Sequence, residues 1–143
     1  MITFVLDASV AVKWTLPLPK ESLTDESLRL LQQYSAGEVD FIVPDVFWAE
    51  IGNVLWKGVR RGRWDRSDAE KLAADLQAHD FTTVPSGALL PEALRIAFAY
   101  DRAVYDCLYV ALAVQSRTDL ITADERLANA LAAYLPVKWL GAL

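Results

Sequence analysis

Apolar residues occupy almost every position from Val104 to Val114 (Val-Tyr-Asp-Cys-Leu-Tyr-Val-Ala-Leu-Ala-Val). A helix that is hydrophobic all round is buried on every side, so this stretch is predicted as a central helix of the core. After a short polar break, Leu120–Thr122 predicts a short strand, followed by a helix from Asp124 to about Ala133. The run Ile2–Leu6, rich in strand formers, predicts a central strand, and Val10–Trp14 a short helix before Pro17 and Pro19 break the chain.

The remaining elements follow the same two rhythms. Ser22 with Asp25 resembles a capping box for a helix whose apolar side is Leu28, Leu30, Leu31 and Tyr34, ended by Gly37. Asp40–Val43 is a second strand, closed by Pro44, and a long helix runs from about Asp45 to Arg61 before Gly62. Ser67 with Glu70 forms another capping-box pattern, opening a helix to about Ala78, and Phe81–Val84 is a third strand ended by Pro85. Pro91 suits a first helical position for a helix to about Tyr100, Asp101 suits the cap of the buried helix, and Val137–Leu140 is a last strand. Strands and helices alternate throughout. This is the pattern of an α/β fold, a mainly parallel sheet of about four to five strands between two helical layers.

Composition narrows the picture. A chain of 143 residues is expected to form a single domain, 1–143, with a core of its own. The 54% hydrophobic content exceeds that of an ordinary soluble domain and suggests apolar surface kept for another subunit or partner. A net charge of −5 excludes a generally basic nucleic-acid coat but not a local basic patch. The lone Cys107 excludes an internal disulfide, fits a reducing compartment, and lies where inert packing is expected. Ile2–Leu6 is too short for a signal peptide, and no apolar run is long enough to span a bilayer, so a cytoplasmic location without membrane contact is expected.

Four acids stand out. Asp7 follows the first strand and Asp124 a later one, at the end of the strands where open parallel sheets bind ligands. Glu50 has Val46, Phe47, Asn53 and Val54 around it on its helix, three of them apolar, and Asp106 lies inside the buried helix. Singly, each has an ordinary explanation: Asp7 and Asp124 as helix caps, Glu50 as a solvated side chain, Asp106 as an ion pair with Arg102. Gathered at one edge of the sheet they would repel, so either some stay protonated or a cation neutralises them. With oxygen ligands only, that cation is Mg²⁺ or Mn²⁺, the kind of ion that activates water in phosphodiester hydrolysis.

Other chemistries fit poorly. His79, the only histidine, ends a polar helix and is expected at the surface, which leaves no base for a paired-histidine or Ser-His-Asp mechanism. No Gly-rich phosphate loop and no Cys/His zinc spacing is present. A phospho-accepting receiver domain needs adjacent acids after the first strand and a late pocket lysine, whereas Asp7 stands alone and Lys138 lies within the last strand. Lys57, Arg60, Arg61, Arg63 and Arg66, interleaved with Trp56 and Trp64, are the best candidates for an RNA contact.

These residues resemble a known family. Val5-Leu6-Asp7-Ala8-Ser9, Glu50 within Trp-Ala-Glu-Ile-Gly-Asn-Val-Leu, Tyr105-Asp106-Cys-Leu-Tyr-Val-Ala-Leu-Ala113 and Leu120-Ile-Thr-Ala-Asp124 are similar to the PIN-domain ribonucleases. The resemblance is to the VapC-type toxins of bacterial toxin–antitoxin (VapBC) pairs and covers essentially the whole chain. It implies a PIN-like three-layer α/β/α fold and a Mg²⁺- or Mn²⁺-dependent endoribonuclease. Asp7, Glu50, Asp106 and Asp124 would form the acidic metal site, with Ser9 and Thr122 as supporting hydroxyls. The implied products are a 5′-phosphate and a 3′-hydroxyl, and the implied partners an RNA substrate, a VapB-type antitoxin and a second copy of the chain. The alternative on the same scaffold is a catalytically inactive protein- or RNA-binding module.

Overall fold

The computed structural model of the protein describes residues 1–15 and 22–143; the break expected at Pro17 and Pro19 lies outside the described residues. Five parallel strands, β1 (Ile2–Leu6), β2 (Val39–Pro44), β3 (Thr82–Val84), β4 (Leu120–Thr122) and β5 (Val137–Trp139), form one sheet in the order β3-β2-β1-β4-β5. The helices between them are α1 (Ala8–Thr15), α2 (Thr24–Ser35), α3 (Val46–Arg60), α4 (Arg66–Ala78), α5 (Ser86–Tyr100), α6 (Val104–Ser116) and α7 (Glu125–Leu131).

α1 packs on α2 and α3, and α3 on α4, whereas α5 packs on α6 and α6 on β1 and β2. Right-handed crossovers explain this division, placing α1–α4 on one face and α5–α7 on the other. β1 lies between the two halves, with Val5 and Leu6 fully buried, and α6 has an unbroken buried run from Cys107 to Ala113. The core continues under β2 and β3 as an aromatic cluster in which Phe41 meets Phe81 edge-on at 5.8 Å and Trp14 at 5.6 Å.

The strand order fixes where a ligand would sit. The order of strand addition reverses between the parallel neighbours β1 and β4, one connecting outward to β2 and the other to β5, so a crevice opens at their carboxyl ends. The register Leu6↔Ile121 places Asp7 beside Thr122 at that point, and the Asp7 backbone N–H extends the ladder to Ile121 O at 3.1 Å.

Several helix ends depart from expectation. Neither capping box forms: α2 begins at Thr24 after Leu23 in a left-handed conformation, and α4 begins at Arg66 after Asp65, both without a side-chain cap. Glu70 instead pairs with Arg66 at 2.7 Å, an i,i+4 contact within the helix. Pro91 lies inside α5 rather than at its start, because Asp45 reaches across from the β2–α3 turn to bind the Ser86 backbone N–H (3.1 Å) and hydroxyl. Asp101 terminates α5 at φ 54° instead of capping α6, whose N-cap is Ala103. His79 closes α4 and stacks on Phe81 at 5.4 Å, so it belongs to the rim of the aromatic cluster.

Candidate active site

Asp7 anchors the crevice. Only 8% of it is exposed, and its Oδ2 accepts hydrogen bonds from Thr122 Oγ1 (2.7 Å) and Ser9 Oγ (2.9 Å). The two hydroxyls also fix the β4–α7 turn: Ser9 Oγ accepts the Ala123 N–H at 3.0 Å, and Thr122 Oγ1 the Asp124 N–H at 3.0 Å. Burial raises the Asp7 pKa, and the charge of Asp106 adds to that, while the hydroxyl bonds pull it back.

Glu50 enters from the second turn of α3. Burial pushes its pKa up to about 7, with the negative charges of Asp7 and Asp106 in support and Tyr109 opposing. Glu50 Oε1 and the hydroxyl of Tyr109 on α6 are both buried and close enough to influence one another, yet neither meets hydrogen-bond geometry with any group among the described residues. Burial, then the charges of Asp7 and Glu50, keep that phenol protonated.

Asp106, in the first turn of α6, pairs at 3.7 Å with Arg102. Its pKa is nevertheless raised, mainly by burial, with Arg102 lowering it and Asp124 raising it. Asp124 caps α7, its Oδ1 accepting the N–H groups of Arg126 (3.0 Å) and Leu127 (3.2 Å). The ordinary readings of Asp106 and Asp124 therefore hold alongside their place in the cluster. The four acids form a connected electrostatic chain, Glu50 with Asp7 and Asp106, and Asp106 with Asp124.

Carboxylates and hydroxyls make this an all-oxygen donor set of the kind hard divalent cations take, and the orphaned Glu50 Oε1 is a buried acceptor that a cation would satisfy. Among the described residues no three His, Cys, Asp or Glu side chains already surround a common point as a metal-binding group, so the fit lies in donor chemistry and charge.

Residues 4–131 match the family described as PIN domain. The chain belongs to the PIN-domain family. It is 30% identical over 132 residues to Ribonuclease VapC3 of Pyrobaculum aerophilum, an alignment covering 87% of this chain and 92% of that protein. Its fold is similar to the crystal structure of PAE2754 from Pyrobaculum aerophilum, with TM-score 0.71 and 22% identity over 99% of this chain and 85% of that one. It also resembles VapBC2 from Rickettsia felis bound to a promoter DNA fragment, with TM-score 0.60 and 11% identity over 96% and 98% of the two chains.

Two features of this PIN domain escape a reading of the sequence. One is the Tyr109 hydroxyl facing Glu50, for which a tyrosine in an all-apolar helix was the available signal, since a buried phenol needs a partner. The other is the position of the basic segment. Lys57, Arg60, Arg61, Arg63 and Arg66 are exposed around the carboxyl end of α3 and the turn into α4. They begin about 10 Å along the helix from Glu50, so they do not line the acidic crevice itself. Cys107 is buried, and its pKa is raised by burial and by Asp106.

Proposed function

We propose that this PIN domain is a VapC-type endoribonuclease toxin that hydrolyses RNA phosphodiester bonds with Mg²⁺ or Mn²⁺ held by Asp7, Asp106 and Asp124, and by Glu50 directly or through water. What supports this reading is that Asp7, fixed by Thr122 and Ser9 at the β1–β4 switch point, lies within electrostatic reach of Glu50 and Asp106, and Asp106 within reach of Asp124. An ion held by these acids would supply the charge that activates a water molecule and offsets the negative charge developing on the phosphate.

The chain's own groups do the rest. Thr122 and Ser9 hold Asp7 in one orientation, so the acid is set before substrate arrives. Burial raises the Glu50 pKa to about 7 in the metal-free fold; a bound cation would draw it down and leave the carboxylate ionised, able to orient an attacking water or accept its proton. Arg102 keeps Asp106 partly neutralised without burying it completely.

The ribonuclease name of the 30% identical relative supports RNA as substrate, and the toxin–antitoxin complexes of the same fold support a VapB-type antitoxin as partner. Leu90, Leu94 and Phe98, exposed four residues apart along α5, supply apolar surface for a homodimer. A reducing, cytoplasmic setting suits the lone buried thiol, and no helix among the described residues is long and apolar enough to cross a membrane.

The test is sequencing of RNA ends after incubation with the purified, antitoxin-free protein and with Asp106→Asn. Metal-dependent cleavage by the parent is expected, with near-complete loss in the variant and folding retained. Cleavage that survives exhaustive chelation, or that Asp106→Asn performs at the parent rate, overturns the mechanism.

A further inference from the structure

The far end of α3 is built with more care than a solvated helix end requires. Gly62 at φ 72° closes the helix, with Arg63 N–H bonded to Gly58 O at 2.8 Å and Gly62 N–H to Val59 O at 3.0 Å. This turn folds Trp64 back over Gly58, and the indole N–H bonds to Leu55 O at 3.0 Å. The contact admits nothing larger than glycine, since a Cβ at Gly58 would lie 1.7 Å from the Trp64 ring. A cleft of about 160 Å³ results, lined by Val54, Lys57, Gly58, Arg61, Arg63 and Trp64.

Charge singles out the same place. Five of the chain's 14 basic residues fall within positions 57–66, which hold one acid, Asp65; the remainder of this acidic protein is strongly negative. Of the five, only Arg66 is in an ion pair among the described residues. Nearby, Arg60 lies over the exposed Trp56 ring at 5.2 Å. Moreover, Glu50, Val54, Lys57 and Arg61 recur at helical spacing along one stripe of α3, so the acidic crevice and the cleft share a face of the same rod.

The geometry points to this cleft as a phosphate-binding subsite for single-stranded RNA, in which Lys57, Arg61 and Arg63 beside the fixed Trp64 ring grip the substrate away from the cleavage point. This rests on the ribonuclease reading and extends it to substrate length. Lys57 to Arg61 lie about 10–16 Å along α3 from Glu50, which is roughly three to five nucleotides at a stacked spacing of about 3.4 Å. The protein therefore favours an unpaired RNA segment that continues several nucleotides to one side of the cut. Cations around a fixed aromatic ring suit a flexible strand, the cations taking a backbone phosphate and the ring meeting the adjoining base or sugar.

The experiment measures binding of a twelve-nucleotide single-stranded RNA by fluorescence anisotropy in EDTA, across a salt series. The proteins are the parent, the variant K57Q/R61Q/R63Q, and a charge-matched control, R29Q/R95Q/R117Q. All six side chains are exposed, so thermal unfolding of both variants is expected to match the parent. The cleft variant is expected to bind about ten- to a hundredfold more weakly. Its log-affinity against log-salt slope should flatten by about 0.7 for each phosphate that the variant no longer neutralises, while the control stays near the parent. If the cleft variant retains parental affinity and slope, or the control weakens as much, the subsite is wrong, whether or not the parent cuts RNA. A parent that neither binds nor cuts RNA takes down the ribonuclease reading and this inference with it.

Discussion

Glu50→Gln should make this protein more stable above neutral pH and leave it unchanged in acid. Glu50 has an ordinary pKa of 4.5 and stands at about 7 in the fold, chiefly through burial. Below pH 4.5 the group is protonated in both folded and unfolded chains. Between 4.5 and 7 the folded state binds more protons, so stability falls as pH rises, and above 7 the full penalty is in place. At full weight such a displacement is worth about 3 kcal/mol. Glu50 is only partly withdrawn from solvent, and screening leaves about 1–2 kcal/mol.

Glutamine keeps the shape and removes the charge, so the gain at pH 8 should be about 1–2 kcal/mol, or roughly 3–8 °C in Tm. The assay is urea or thermal denaturation of parent and variant from pH 4 to pH 8.5 in EDTA. A variant equal to or less stable than the parent at pH 8, or a gain that does not shrink toward pH 4, refutes the reasoning.

Other outcomes follow from the same contacts. Thr122→Val removes the donor to the buried Asp7 and the acceptor of the Asp124 N–H, and should cost about 2–3 kcal/mol at pH 7; denaturant midpoints within about 0.5 kcal/mol of the parent would contradict this. Gly58→Ala gains about 1 kcal/mol of helix propensity but drives a methyl into Trp64. Overpacking costs about 1–3 kcal/mol, so a net loss and a shifted tryptophan emission are expected, whereas net stabilisation with unchanged emission would place the ring elsewhere.

How far the sequence foretells the molecule differs from element to element. The all-apolar α6 and the β1 run ending at Asp7 announce themselves, because burial on every side leaves a composition that surface elements do not have. Alternation of strands and helices gives the layered α/β class, and PIN-type motifs around Asp7, Glu50, Asp106 and Asp124 mark the acids. What the chain does not spell out is who neighbours whom. That β1 lies beside β4 follows from long-range pairing, and only that pairing brings Thr122 within 2.7 Å of Asp7. The helix starts at Ser22, Ser67 and Pro91 are misjudged because capping patterns are worth only about 1 kcal/mol, which a tertiary contact such as Asp45 with Ser86 can override. Gly58 inside a helix was the one legible sign of the Trp64 turn, since interior glycine is unfavourable unless something needs the space.

The most direct test of the central claim, that distant acids converge into a pocket for a divalent ion, is Mn²⁺ binding followed by electron paramagnetic resonance in the parent and in Asp106→Asn. Saturable Mn²⁺ binding by the parent is expected, weakened at least about tenfold in the variant while the fold persists. Equal Mn²⁺ binding by the two proteins, or none by a parent that still cleaves RNA, would contradict it.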